Sequence, residues 1–400
     1  MYDSQSMVIS EEEAKGWHRE YWDQIELEID FQRLVEDLHQ IGLITWTNGF
    51  VQFRYAYFFC FFVAHHIQIG LEVGDESATE LIVTLSNQLH HRISADIILF
   101  VASLNKHTVI LEELVRTCDS LFVEALPATL DGDVARLNNL AREIEEISIP
   151  EKPEANRIAG REARDNLVGE HLAATRSTHL VTPPEPSNDM VQQLYDFNAA
   201  IKTIQILGQV IRNVGGRALK DQKSEVLSKI IGLTRRILGK YLAYVGEDSL
   251  DEFLKSVAEA QKEHMSELSE SELKNEVCQH INGMLKFFCF SVIKHTTFSV
   301  GSENLAPTIR RLLEEDETSI SKLMDLSLSL DLKRGFPRVQ ALKLYKDLGK
   351  NHFSSGLVRI LVSYHMYSYV VPLQDRQAIC DKMKIKLLPA VMDRSRKRLT

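Results

Sequence analysis

Residues 43–53 read Leu43-Ile44-Thr45-Trp46-Thr47-Asn48-Gly49-Phe50-Val51-Gln52-Phe53. Two short β-type runs flank Asn48-Gly49, and Asn-Gly supplies the two residues that tolerate the left-handed backbone of a tight hairpin turn. The pattern predicts a hairpin. Upstream, Asp30 is placed to cap a helix whose apolar residues Phe31, Leu34, Val35, Leu38 and Ile41 recur at helical spacing until Gly42 ends it. Downstream, a helix is expected from about Tyr55 to Ile69. Helix, hairpin and helix in this order make the second half of a winged-helix unit, with the hairpin as the wing.

Beyond Gly70 the signals are almost all helical. Asp75, Ser94 and Thr108 are placed to cap three successive helices, and this part closes near Ile149. From Pro150 to Pro186 prolines flank a highly charged stretch with few apolar residues, the composition of a linker or a surface helix. The remainder predicts eight or nine more helices, one beginning near Asp189 and another running from about Lys220 to Val245. A further apolar stripe runs through Leu273, Val277, Ile281, Met284, Leu285, Phe288 and Val292. No fixed repeat period links them. The expected fold is therefore mainly α: a winged-helix-like unit with a small β-hairpin, then an irregular helical bundle or solenoid. The expected domains are 1–70 (winged-helix-like), 71–149 (helical), 150–187 (linker) and 188–400 (helical, sensor-like).

The 400 residues, 44% of them hydrophobic, suffice for the cores of two or three domains. A formal charge of -10 argues against a general coat for nucleic acid or anionic membrane. One basic patch stands against that balance, where Lys382, Lys384, Lys386, Arg394, Arg396, Lys397 and Arg398 face a single acid, Asp393. It reads as the solvated face of a C-terminal helix, with nucleic-acid binding as the lesser reading. Five cysteines without Cys-x-x-Cys spacing, and an N-terminus lacking a basic region followed by an apolar one, point to a reducing, cytoplasmic setting. The densest apolar run, Tyr55 to Ala64, is about half of what a spanning helix needs, so no membrane contact is expected.

Tests for catalysis are negative. A phosphate-binding Walker A loop needs Gly-x-x-x-x-Gly-Lys-Ser/Thr, whereas Gly232 and Gly239 are separated by six residues, Lys240 is followed by Tyr241, and the stretch reads as helix. Gly215-Gly216 reads as a helix-terminating turn. The pairs His65-His66 and His90-His91 could supply metal ligands, but neighbours on a helix diverge by about 100°, so each pair offers one ring at most to a shared site. No metal site is expected.

One stretch fits a reaction. Arg164-Asp165-Asn166-Leu167-Val168-Gly169-Glu170-His171 resembles the Arg, polar residue and His pattern of HEPN ribonucleases. The resemblance implies that Arg164 and His171 would stabilise a phosphoryl transition state and move protons during attack by a ribose hydroxyl. Arg359 to His365 has permitted spacing, with apolar Ile360 at the polar position.

A broader likeness lies in Phe53-Arg54-Tyr55-Ala56-Tyr57-Phe58-Phe59-Cys60-Phe61-Phe62-Val63-Ala64. It resembles the signature that closes the winged helix of NACHT-type STAND NTPases, Phe-x-His-x-x-Phe-Gln-Glu-x-Phe-Ala-Ala. Phe53, Phe58, Phe62 and Ala64 match in register, which implies that they pack the family motif. The family's histidine falls on Tyr55, and its Gln-Glu pair on Phe59 and Cys60. Tyrosine cannot become cationic, so Arg54 beside it is the substitute for contact with nucleotide phosphate. The approach to the wing, Leu34 to Ile44, is similar too, and Ile204 to Asn213 looks like the helical C-terminal regions of bacterial STAND proteins.

The resemblance implies that the chain starts after the place of an NTPase core. ATP would then be handled by a missing or partner NTPase domain, with no cofactor in this chain. The winged helix would hold that core closed, and the helices beyond would recognise a trigger protein, in bacteria often of invader origin. An oligomer is compatible with this scheme.

Overall fold

The computed structural model describes residues 8–24, 29–104, 108–140, 147–150, 153–159, 189–214, 219–244, 270–332 and 335–388. The chain is mainly helical, with a small antiparallel sheet near the N-terminus. It forms two compact units, residues 1–117 with 166–202, and residues 118–165 with 203–400.

The first unit opens with an element that the hairpin pattern did not foretell. Strand β1 (Val8–Ser10) leads into α1 (Glu11–Gln24) through a reciprocal cap. The Ser10 N–H donates to Glu13 Oε2 at 2.9 Å and the Glu13 N–H to Ser10 Oγ at 3.2 Å. Helix α2 (Phe31–Gln40) begins as expected, with Asp30 accepting from the Arg33 N–H at 2.7 Å, and the chain turns at Gly42 (φ 76°). Strands β2 (Ile44–Thr47) and β3 (Phe50–Phe53) pair around Asn48 (φ 55°) and Gly49 (φ 77°). Both turn residues are left-handed, as the twist of a two-residue hairpin requires.

The sheet order is β1-β3-β2, all antiparallel, with Ile9 opposite Val51 and Trp46 opposite Val51 on the other side. One face buries Ile9, Ile44 and Val51 against Val35, with Phe31, Leu38 and Trp46 around them. The Trp46 indole N–H donates to Glu11 Oε2 at 3.1 Å, tying the wing to α1.

Helix α3 (Ala56–Val73) starts one residue after the expected Tyr55 and runs four beyond Ile69, ending at Gly74 (φ 76°). Asp75 caps α4 (Glu76–Asn87) by accepting from the Ser77 N–H at 2.9 Å. Helix α5 (Arg92–Leu104) does not start at Ser94: that residue lies inside the first turn and is buried. Its hydroxyl serves no cap because the helix has already begun at Arg92. Helix α6 (Thr108–Ser120) follows.

In the second unit a loop, not a helix, sits in the middle. Leu130 is fully buried, and its carbonyl accepts from Asn351 Nδ2 at 2.6 Å and Ser354 Oγ at 2.7 Å. Thr129 O accepts from the Ile320 N–H at 3.0 Å, and Ser319 bonds Asp131 through both its N–H and its hydroxyl. A short 3-10 turn (Gly132–Val134) and α7 (Ala135–Leu140) complete the insert.

Helix α8 (Asp189–Val214) belongs to the first unit up to Lys202 and to the second from Thr203. The second unit also holds α9 (Lys220–Tyr244), α10 (Glu270–Val300), α11 (Ala306–Glu314), α12 (Ser319–Leu332), α13 (Arg338–Asp347), α14 (His352–Ser368) and α15 (Leu373–Met383). The expected starts near Asp189 and Lys220 are observed. Of the predicted α10 stripe, Ile281, Leu285 and Val292 are buried, but Met284 is exposed because it lies on the opposite side of the helix from α14.

Buried hydroxyls pair across the crossings, Thr234 with Thr296 at 2.8 Å and Thr297 with Ser327 at 2.7 Å. Each pair satisfies groups that would be costly alone. The basic region departs from its expected helix. Helix α15 ends at Met383, Lys384 is left-handed (φ 54°), and Lys386 lies in β5 (Ile385–Leu388), paired in parallel with β4 (Ile147–Pro150). The Arg359 guanidinium causes the break by holding the Met383 and Lys384 carbonyls at 2.7 and 3.0 Å.

Two glycines in α9 separate close packing from helix propensity. A Cβ on Gly239 would fall on the Leu126 carbonyl oxygen, whereas one on Gly232 would meet only the Arg236 side chain at 3.6 Å. Gly239→Ala is expected to destabilise by about 2 kcal/mol or more, and Gly232→Ala to be neutral or stabilising by up to ~1 kcal/mol. Urea denaturation of both variants measures the contrast.

Candidate functional site

The N-terminal end of α3 gathers the residues singled out from the sequence. The Arg54 N–H donates to the Leu43 carbonyl at 3.0 Å, which ends the sheet and starts the turn into the helix. Its guanidinium folds back over Gly42, where a Cβ would lie 3.1 Å from Nη1, and its Cζ stands 5.7 Å from the Tyr55 ring centroid. Tyr55 stacks on Tyr57 at 5.6 Å and 10°, and both rings are largely exposed. Phe58 leans on both tyrosines, at 6.0 and 4.4 Å. The result is an exposed aromatic edge with one cation beside it.

The four positions of the expected packing motif divide. Ala64 is wholly buried, and Phe53 stacks on Phe62 at 5.5 Å, but Phe62 itself is 43% exposed and Phe58 half-buried. The fully enclosed residues are Phe59 and Cys60, which with Ile67 face α4 and α5. Burial pushes the Cys60 thiol up to about 12, so it is a core residue and no nucleophile.

On the flank of Phe59, Tyr55, Phe62, Ile69 and Val73 fall on one stripe at helical spacing, each with more than a third of its surface exposed and with exposed His66 between Phe62 and Ile69. Helix α3 is the one helix among the described residues long and apolar enough to cross a membrane, with a mean hydropathy of 1.3.

The histidine pairs differ from each other. His90 and His91 lie in the turn after α4, and their rings stand 4.0 Å apart. The expectation that neighbours diverge fails here because the helix has already ended. His90 also stacks on Tyr195 at 5.0 Å, and burial lowers the basicity of both imidazoles. Among the described residues no group of three or more His, Cys, Asp or Glu is arranged to hold a metal ion.

Arg164, His171, Arg394, Arg396, Lys397 and Arg398 lie outside the described residues, as does Gly215-Gly216. The second ribonuclease-like pair is described. Arg359 is buried and spends its guanidinium on backbone carbonyls, while His365, six positions on, points about 240° around α14.

His365 belongs to a cluster that sequence reading missed. Lys294 pairs with Asp331 and stands 5.5 Å over the Tyr364 ring, while His365 lies 5.7 Å from Phe336 and 4.9 Å from Tyr369. Burial first, then the Lys294 charge, bring His365 down to about 4, with Asp331 opposing. The available signal was charge inside apolar helices: Lys294 and Asp331 interrupt long apolar runs.

The comparisons bear on the first of these regions. Residues 8–63 match the family described as Novel STAND NTPase 4. The match spans the sheet, α1, α2 and the aromatic first half of α3, so this region is related to STAND-type NTPases. No curated protein and no solved structure matches the chain.

The His365 environment fixes the sign of one pH effect. Above about 6.5 both folded and unfolded states hold a neutral ring. Between 6.5 and about 4 the unfolded chain takes the proton and the fold does not, so stability falls as pH drops. His365→Gln should remove up to about a tenfold loss of folding constant per pH unit across that window. Urea titrations of both proteins at pH 7, 6 and 5 measure it.

Proposed function

We propose that this chain is a regulatory module of a STAND-type NTPase system, acting by binding, in bacterial anti-phage defence signalling. Residues 8–53 serve as its winged helix and α3 as the helix that closes it. The helices of the second unit serve as the sensor for a trigger protein. The β1-β3-β2 order with two helices between β1 and β2 supports the winged-helix reading.

The observation that carries the proposal is the second apolar face of α3. Phe59, Cys60, Ala64 and Ile67 fill the core side, so the exposed faces of Tyr55 and Phe62, with Ile69 and Val73, are left outside the unit's own packing. A stripe that begins in the region related to STAND NTPases and continues past it fits a surface that docks on an NTPase core. Arg54 and Tyr55 stand at the end of the same stripe, and we assign them to sensing the nucleotide held by that core. Arg54 keeps its charge at every working pH, where a histidine would not. The trigger acts by binding one arrangement of the module more tightly than the other, which shifts the closed and open populations.

Co-expression with a STAND-type NTPase core tests this. Phe62→Asp with Ile69→Asp should abolish co-purification and raise ATP hydrolysis by the core at least tenfold, with far-UV circular dichroism unchanged. Arg54→Ala should keep association but remove its dependence on the bound nucleotide. Undiminished co-purification of the Asp variants would sink the proposal.

A further inference from the structure

Phe122 (φ 53°) and Leu130 (φ 60°) hold the left-handed backbone conformation, though neither is glycine, asparagine or aspartate. Such residues persist only where their surroundings over-determine them, and they gather at clamps and switch regions. The two differ in what holds them. Leu130 is fully buried, and its carbonyl and its neighbours Thr129 and Asp131 are bonded into α12 and α14. Phe122 has no such seat. It lies in a loop whose Val123 and Leu126 are 65% and 85% exposed.

What fastens that loop comes from α9. Arg236 donates from Nε to the Leu121 carbonyl at 3.1 Å and from Nη2 to the Cys118 carbonyl at 2.6 Å. These are the free carbonyls at the C-terminal end of α6, where a cation is favoured. The Cys118 thiol donates to the Lys229 carbonyl at 3.4 Å, and burial pushes it up to about 12. Lys229 also pairs with Asp119 at 2.6 Å, but both side chains are well exposed and contribute little. Gly239 lets the Leu126 carbonyl lie on the α9 backbone. Beyond it, Ala128 exchanges both backbone bonds with Arg235: its N–H donates to Arg235 O at 2.9 Å, and its carbonyl accepts from Arg235 Nε at 3.1 Å.

We propose that the last turn of α6 and the loop to Pro127 form a strained clasp that opens as a local unit. Opening frees Arg236 from the two carbonyls and returns Phe122 to the right-handed region, while Ala128–Asp131 stay seated. Strain at Phe122 pushes toward opening, and the two charge-assisted bonds of Arg236 hold against it. The clasp lies in the second unit, which the chain first enters within α6 at Cys118.

Native-state hydrogen exchange on the full chain, read by mass spectrometry, tests this. Amides of 118–127 should exchange through local opening, faster than those of α12. Arg236→Gln should accelerate them at least about tenfold without changing α12. Phe122→Gly should slow them by about fivefold, because glycine carries no left-handed penalty. Phe122→Asn should slow them less. Faster exchange in both Phe122 variants would overturn the strain, and equal acceleration of 118–127 and α12 in Arg236→Gln would overturn the local unit.

Discussion

A helix with more apolar surface than its own chain can cover leaves the rest facing outward, and α3 is such a helix. Phe59, Cys60, Ala64 and Ile67 close the core against α4 and α5, which fixes the rotation of the helix about its axis. Once that rotation is set, Tyr55, Phe62, Ile69 and Val73 must face outward. The wing constrains the other end, since the Arg54 N–H bonds the Leu43 carbonyl and the hairpin turn admits only left-handed residues at 48 and 49. The exposed stripe is therefore a consequence of the core. Its cost is tolerable for a surface that a partner covers, which is the ground of the proposed docking role.

The second unit is organised by a different rule. The loop from Ala128 to Asp131 is anchored at buried Leu130; Asn351, Ser354 and Ile320 meet its backbone carbonyls, and Ser319 meets the Asp131 carboxylate. A buried loop is costly unless each polar group finds a partner, and the hydroxyl-rich faces of α12 and α14 supply them. The same serines and threonines, read along the sequence, suggest nothing catalytic; in the structure they are the means by which helices and loop fit without orphaned groups. The buried Cys118 thiol, pushed up to about 12, belongs to the same packing.

Much of the first unit was legible because its signals are local. Asn48-Gly49, the caps Asp30 and Asp75 and the glycine at 42 each act within a few residues, and each is observed in its expected role. The Ser10–Glu13 capping box is equally local, but no clear apolar period follows it, so β1 and α1 are not legible from the pattern. Ser94 misled because a good capping residue inside an apolar helix can be buried instead. The parallel pairing of β4 with β5 and the seating of Leu130 depend on residues far apart in sequence, which no periodicity reports. Of the candidate site, the aromatic run and Arg54 were legible; which aromatics face outward was not, because the first half of α3, Ala56 to Ala64, carries no charged residue to orient it. The Lys294, Asp331 and His365 cluster needed three helices to be placed first.

The central claim is that the outward stripe of α3 is a docking surface for an NTPase core. Isothermal titration of the purified chain into a STAND-type NTPase core, loaded with ADP or with a non-hydrolysable ATP analogue, tests it most directly. The account predicts one-to-one binding to the ADP form, at least about tenfold weaker binding to the ATP form, and a negative heat-capacity change from burial of apolar surface. Absence of binding to both forms would contradict it.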